Sequence, residues 1–356
     1  MTSGPDGLRI ASGDRVLVTG GAGFIGSSVL RALHGRGAHV VALVEPGGDT
    51  ANLEDVDVEV VRGDLRDPDA VDKAVDGCRL VFHVAALYRF WAAHPADFYA
   101  INVAGTRHVL DAARRHGCER TVYTSTVGTL GLHGATPSDP VDETSFAHVD
   151  HLFGGYKQSK YVAEHEVLRA AAEGLDVVLV QPTVPVGTRD RGPTPTGKTV
   201  LEILNGHFPG YVDTTLNIVD VEDVAEGHVL AAERGTTGRS YILGGENLLL
   251  KEVLATLADV SGLTVQSRQF PGVLALVVGH LSGFVQGRVL GREPTIPLEA
   301  AKMSTTHMSY DDGRARAELG YTSRPARQAL ARAAHWFVEA GYVRPERVAQ
   351  IRWADD

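Results

Sequence analysis

The stretch RVLVTGGAGFIGSSVLRALHGRG, residues 15–37, decides how the rest of the chain is read. It opens on a β-branched, apolar run of strand length; from Phe24 onward the apolar positions recur at helical spacing until Gly35 and Gly37 stop them. Between strand and helix stand Gly20, Gly23 and Gly26 in the spacing G-x-x-G-x-x-G. Gly20 permits the tight turn, Gly23 lets a pyrophosphate approach the backbone, and Gly26 lets the helix pack closely on the sheet. Phosphates then rest against the positive end of that helix. The stretch predicts a dinucleotide cradle.

A second glycine motif competes with it. Residues 192–199, GPTPTGKT, fit the triphosphate-binding pattern G-x-x-x-x-G-K-[ST] letter for letter. That pattern works because successive backbone N–H groups turn inward straight after a strand and straight before a helix. Pro193 and Pro195 delete two of those donors. The nearest strand-like run, VVLV at 177–180, is separated from Gly192 by a loop holding Pro182, Pro185 and Gly187. The octet reads as a chance match in a Gly/Pro-rich loop.

Outward from the cradle, strand-like runs at 40–44, 58–61, 80–86, 120–125 and 177–181 alternate with helical stretches at 67–75, about 96–115 and from near Gly155. Nearly all-apolar strands alternating with helices predict an α/β Rossmann fold: a doubly wound parallel sheet with helices on both faces. After Pro182, long Gly/Pro loops predict a smaller C-terminal substrate-binding lobe, residues 183–356. Residues 211–245 partly return from it to the dinucleotide domain at 14–182, and residues 1–13 read as a loose N-terminal extension.

With 356 residues, 44% of them hydrophobic, the chain can fill a sizeable core. A formal charge of −10 argues against nucleic acid and anionic membrane surfaces, which need basic partners. A small-molecule partner is expected. Cys78 and Cys118 alone form neither a disulfide framework nor a zinc ligand set, so no metal is expected, and with no apolar leader the chain is expected in the cytoplasm. The most apolar stretch, FPGVLALVVGHLSGFV at 270–285, is too short for a membrane span. It reads as a buried helix or as an apolar wall of the substrate pocket.

Cofactor choice turns on the end of the second strand, where a carboxylate bonds the ribose 2′-OH of NAD and a cation would accept the 2′-phosphate of NADP. The sequence there is VVALVEPGG, with Glu45 and no Arg or Lys up to residue 61. NAD is expected over NADP. In RGDLRD, Asp64 and Leu65 stand where the adenine edge would lie, although Asp64 could equally cap the next helix.

Within GGYKQSKYVAEHEVLRAAAEG at 154–174, Tyr156 and Lys160 lie at i and i+4, on one helix face. A phenol titrating near pH 10 is a poor acid–base group at neutrality, but an adjacent ammonium and a positive nicotinamide both favour its ionised form. The lysine can also hold ribose hydroxyls. Just upstream, VYTSTVGTLG at 122–131 offers Ser125 and Thr126. One hydroxyl can bond the substrate oxygen that changes charge, and the other can line the nicotinamide pocket.

Taken together these motifs resemble the extended short-chain dehydrogenase/reductases over nearly the whole chain. More narrowly, AALYRFWA at 85–92, RDRGPTPTGK at 189–198 and YVDTTLNIVDVEDVAEGH at 211–228 resemble the hopanoid-associated sugar epimerases, neighbours of dihydroflavonol reductases and 3β-hydroxysteroid dehydrogenases. The resemblance implies Thr126, Tyr156, Lys160 and, in INVAGT, Asn102 as catalytic residues. It places Phe24, Ile25, Ala85, Ala86 and the Pro182-Thr183-Val184 loop at the cofactor. Leu87, Tyr88 and Trp91 would contact an apolar substrate, with Lys198 on the substrate side or simply solvated. It also implies a homodimer paired through the helices at 96–115 and after Gly155.

There are two departures. Glu45 stands where many related NADP enzymes carry a basic residue, and Val127 and Gly128 stand where sugar 4,6-dehydratases carry the Asp-Glu pair needed for dehydration. The expected function is NAD-dependent hydride transfer between nicotinamide C4 and a secondary alcohol or ketone of terpenoid, steroid-like or polyphenol-like character. An NAD-retaining nucleotide-sugar epimerase and a non-catalytic dinucleotide sensor are the alternatives.

Overall fold

Strands with no polar face need cover on both sides, and helices supply it. β1 (Arg15–Thr19), β2 (His39–Val44), β3 (Glu59–Arg62), β4 (Leu80–His83), β5 (Arg120–Thr124) and β6 (Val177–Pro182) form one parallel sheet, joined at the β6 edge by a strand that arrives later. The computed structural model describes residues 8–354 apart from 133, 134, 137, 146, 149–151, 267, 285, 287–291, 293, 295 and 296. Residues 1–7 of the expected extension, Val285, and residues 355 and 356 therefore lie outside the described residues.

α1 (Phe24–His34) covers one face of the sheet. α2 (Pro68–Val75), α3 (Ala96–Tyr99), α4 (Gly105–Arg115) and α5 (Gly155–Ala172) cover the other, burying Val71, Val109, Ala163 and Val167. The long helical stretch is continuous, but residues Ala100–Ala104 between α3 and α4 form a π turn. Such turns are frequent where a side chain must be re-aimed at a functional site. Since β1 lies between β2 and β4, the connections leave it in opposite directions, and a crevice opens at the carboxyl ends of β1 and β4.

Beyond β6 the chain builds a second, three-stranded sheet. β7 (Val184–Val186) leads through α6 (Pro195–Leu204) to β8 (Thr215–Asp220), which runs parallel to β7. α7 (Val221–Arg234) then packs beside α1, and β9 (Ser240–Leu243) pairs with β6, completing the order β3-β2-β1-β4-β5-β6-β9. β10 (Glu246–Leu249) closes the small sheet antiparallel to β8. α8 (Leu250–Ser261), α9 (Gly272–Ser282), α10 (Leu298–Met303), α11 (Ala326–Glu339) and α12 (Pro345–Val348) follow. Leu254, Leu257, Leu330 and Phe337 form the core under the small sheet.

Three expectations change here. Residues 8–13 are not loose: Ile10 is buried and its N–H donates to Glu233 Oε1 at 3.2 Å. The octet at 192–199 is only half loop, because α6 starts at Pro195 with Thr194 as its cap. Yet its anion position is already filled by a side chain of the chain itself, since the Thr194 N–H and hydroxyl donate to the buried Asp190 carboxylate. Lastly, α9 is not a buried helix. Val273 is 71% exposed and Leu281 61%, and Gly279 is the only buried residue of the helix. Among the described residues, no helix is long and apolar enough to cross a membrane.

Candidate active site

The glycine turn after β1 is shaped by close approach. Gly20 takes φ +66°, and a Cβ there would sit 2.9 Å from the Ala85 backbone; a Cβ on Gly26 would sit 2.1 Å from the Gly20 carbonyl oxygen. Gly23 closes the turn by donating to Gly20 O at 2.9 Å. α1 then begins with Phe24 and Ile25, and neither a side-chain cap nor an acidic residue occupies its first turn. Its positive end is thus left for an anion, and the cradle fits a dinucleotide pyrophosphate. Ala85 and Ala86 lie half-buried where β4 ends, across the turn from Gly20.

At the end of β2, Glu45 is exposed, as a ribose ligand must be. The sheet register pairs Val44 with Arg62, the first cation after Glu45. Arg62 Nη1 donates to the carbonyls of Gly48 (2.7 Å) and Glu45 (3.2 Å). Asp64 does not cap α2, which Asp67 does; its carboxylate holds Arg66 and is kept below the usual range by that guanidinium. Leu65 is buried beneath Gly105.

The reacting groups converge at the end of β5. Thr126 extends from the strand, takes a hydrogen bond from Gly128 N at 3.1 Å, and its hydroxyl lies close enough to the Tyr156 phenol to favour the ionised form. Tyr88 stacks obliquely on Tyr156 with ring centroids 4.8 Å apart and meets Phe90 edge-on at 6.3 Å. Leu87 and Trp91 are half-buried in the same loop, whereas Lys198 is exposed on the first turn of α6. Pro182 ends β6 and Val184 begins β7, with Thr183 N–H donating to Leu243 O between them.

Lys160 shares the Tyr156 face but is 2% exposed and held from below: Nζ donates to Thr124 O at 2.6 Å and stands 4.2 Å from the Tyr123 ring centre. Burial pushes its ammonium down to about 7, with the Glu164 carboxylate opposing. Burial likewise pushes the Tyr156 phenol up, and the neighbouring Tyr88 adds to the rise. The lowered phenol expected from the sequence is therefore not a property of the protein alone; desolvation outweighs the distant ammonium.

Asn102 lies buried on the π turn. Its Oδ1 accepts from Leu87 N at 2.7 Å and its Nδ2 donates to Ser159 Oγ at 2.9 Å, tying the loop after β4 to α5. The Ser125 hydroxyl donates to Glu164. Glu164, which sequence reasoning missed, also accepts from Thr129 Oγ1 at 3.0 Å. It stands one further helical turn beyond Tyr156 and Lys160, and that continued spacing was the available signal. On the far side of the strand, His228 engages the Thr124 hydroxyl at 2.8 Å and burial holds it near 4, neutral at physiological pH.

Known proteins share this arrangement. The family model described as "NAD dependent epimerase/dehydratase family" matches residues 16–244. A Synechocystis protein named "Putative dihydroflavonol 4-reductase" is 43% identical over 95% of this chain and 98% of its own length. Sterol demethylase protein B of Methylococcus capsulatus is 30% identical over 92% of this chain and 99% of its own. The crystal structure of gox2253 superposes with a TM-score of 0.82 at 41% identity, covering 93% of this chain and all of that one. With the cradle, the Tyr156–Lys160 face and these matches in hand, the chain belongs to the NAD-dependent epimerase/dehydratase family and is an extended short-chain dehydrogenase/reductase, an NAD(P)-dependent enzyme.

Proposed function

We propose that the enzyme is an NAD-dependent oxidoreductase acting on a secondary alcohol or ketone, with Tyr156 as its acid–base group. The observation that carries this reading is the Tyr156 phenol beside the Thr126 hydroxyl after β5, with Lys160 one helical turn on and its Nζ on the Thr124 carbonyl. When bound, the nicotinamide gives or takes hydride at C4. Thr126 and Tyr156 hold the substrate oxygen between two hydroxyls, and Tyr156 passes the proton on or off as the carbon is reduced or oxidised. Lys160, when protonated, would supply positive charge on the helix face it shares with the phenol. Asn102 and Glu164 fix the loop and strand that carry these groups and do not touch substrate.

The glycine turn at Gly20, Gly23 and Gly26 would hold the pyrophosphate, with Glu45 on the adenosine ribose and Asp64 and Leu65 flanking the adenine. NAD over NADP is supported by the Glu45 carboxylate and by the engagement of Arg62 with two backbone carbonyls. Residues 14–182 would carry the cofactor and 183–356 most of the substrate contacts. The rings of Tyr88 and Phe90, with Leu87 and Trp91, support an apolar substrate, as do the names of the Synechocystis and Methylococcus relatives. Pairing into a homodimer through the outer faces of the helix at 96–115 and α5 belongs to the same reading, supported by exposed Tyr99 and Leu168.

The test is a screen of secondary alcohols for reduction of added NAD, run beside denaturation of the purified protein to release any retained nucleotide. Net NAD reduction by an empty protein is the expected result. Stoichiometric retained NAD without net redox turnover would replace this reading with the epimerase.

A further inference from the structure

Glu299 is only 6% exposed, and among the described residues neither of its carboxylate oxygens has a hydrogen-bond partner. Buried polar groups in native proteins are almost always paired, so an orphan beside a cleft points to a partner that arrives with the ligand. Its position supports that. α10 presses Glu299 onto the entry to α5, where a Cβ on Gly154 would lie 1.7 Å from Glu299 Oε2. Gly154 takes φ +86° and precedes Tyr156 by two residues. The Glu299 charge acts on Tyr156 and Tyr88, both at the reacting end of the cleft, and on Lys157 next to them. Lys302, on the same helix, is turned away with Nζ 3.4 Å from the Phe153 ring centre, so it leaves the carboxyl unpaired.

Resting on the oxidoreductase reading above, we propose that Glu299 is a substrate-binding residue that takes a hydroxyl hydrogen. The substrate would then be an otherwise apolar alcohol or ketone bearing a second hydroxyl group away from the Thr126–Tyr156 pair. A neutral donor fits better than a cation, because Lys157 already supplies positive charge at this end of the pocket and aromatic rings surround the rest. The second hydroxyl would sort substrates: a site with a buried group built to accept a hydroxyl rejects the analogue that leaves that group unpaired.

The test uses the full chain, Glu299→Gln and Glu299→Leu. Thermal unfolding without ligand comes first. With no contact to lose, both variants should melt at or above the wild-type temperature, and a clear drop in either would overturn the inference. NADH-dependent reduction is then measured on two matched pairs of ketones: flavanone with 3-hydroxyflavanone, and 5α-androstan-3-one with its 17β-hydroxy derivative. The wild type should prefer the hydroxylated member of at least one pair by about tenfold or more in kcat/KM, mainly through KM. Glu299→Leu should bring that ratio close to one, and Glu299→Gln should keep part of it. A preference untouched by Glu299→Leu, or turnover of the ketones with no preference in either pair, overturns the inference while leaving the oxidoreductase reading in place. Wild-type protein that reduces none of the four ketones overturns the inferred substrate class, and the oxidoreductase reading is then decided by the alcohol screen and the retained-nucleotide assay above.

Discussion

The two sides of the cleft are finished to different degrees. On the side built from β4, β5, the π turn and α5, the functional polar groups already have protein partners. His83 bridges Thr19 and Thr106, Asn102 clamps Leu87 to Ser159, Lys160 sits on the Thr124 carbonyl, and Glu164 gathers Ser125 and Thr129. On the side built from α9 and α10, Glu299 is buried with no hydrogen-bond partner among the described residues, and α9 turns Val273, Leu274, Val277 and Leu281 to solvent. Groups that move protons need fixed geometry before substrate arrives, whereas groups that recognise substrate can leave their last hydrogen bonds to it. The chemistry is pre-organised and the recognition is completed by the ligand.

The comparison can be broken first at its centre. Tyr156→Phe should cut turnover by about 10²–10⁴-fold, the range for loss of a general acid–base group, while the melting temperature holds; steady-state kinetics beside a melting curve checks both. Glu45→Arg acts at the cofactor end. Exchanging a charge-assisted ribose contact for a phosphate contact should move preference from NAD toward NADP by roughly ten- to a hundredfold, read as the ratio of kcat/KM for the two cofactors.

Effects on stability come next. Glu164→Leu strips Ser125 and Thr129 of their acceptor and should cost about 1–3 kcal/mol in urea denaturation, the usual penalty for buried groups left unpaired. A conservative Glu164→Gln should lose less. The pH dependence of Lys160 has a definite sign. Its folded-state value of about 7 lies below its ordinary 10.5, so between those limits the unfolded chain binds the proton and the folded one does not. Wild-type stability therefore gains from this residue as pH rises from about 7 to 10.5, and below about 7, where both states hold the proton, the residue adds no further pH dependence. Lys160→Met should flatten that part of the profile for the cofactor-free protein. The smallest effect belongs to the open side: Val273→Ser with Leu281→Ser should change stability by no more than about 0.5 kcal/mol, because both side chains already face water.

How much the sequence disclosed depended on how local each feature is. The β1–α1 cradle is a continuous stretch whose period and glycines carry their own meaning, and the Tyr156–Lys160 pair follows from helical spacing alone. Arg62 reaches the ribose end because β3 pairs with β2 in one register, and strand pairing is not written in either strand. Glu164 stood at legible spacing, but its function comes from Ser125, Thr129 and Gln181, on other segments. The stretch at 270–285 left a buried helix and an apolar wall both open because composition alone does not report burial, and the structure removes the first, since α9 packs only one side on α10. Glu299 was invisible, since an acidic residue on a short helix looks solvated until Gly154 is brought against it.

The most direct measurement is a single turnover with NADH carrying deuterium at both nicotinamide C4 positions and the ketone of an alcohol found in the substrate screen, followed by analysis of the alcohol. The account predicts one deuterium on the carbinol carbon with wild-type enzyme and near-complete loss of that transfer in Tyr156→Phe. Product formed with all the label still on the nucleotide, or transfer at the wild-type rate without the phenol, would contradict it.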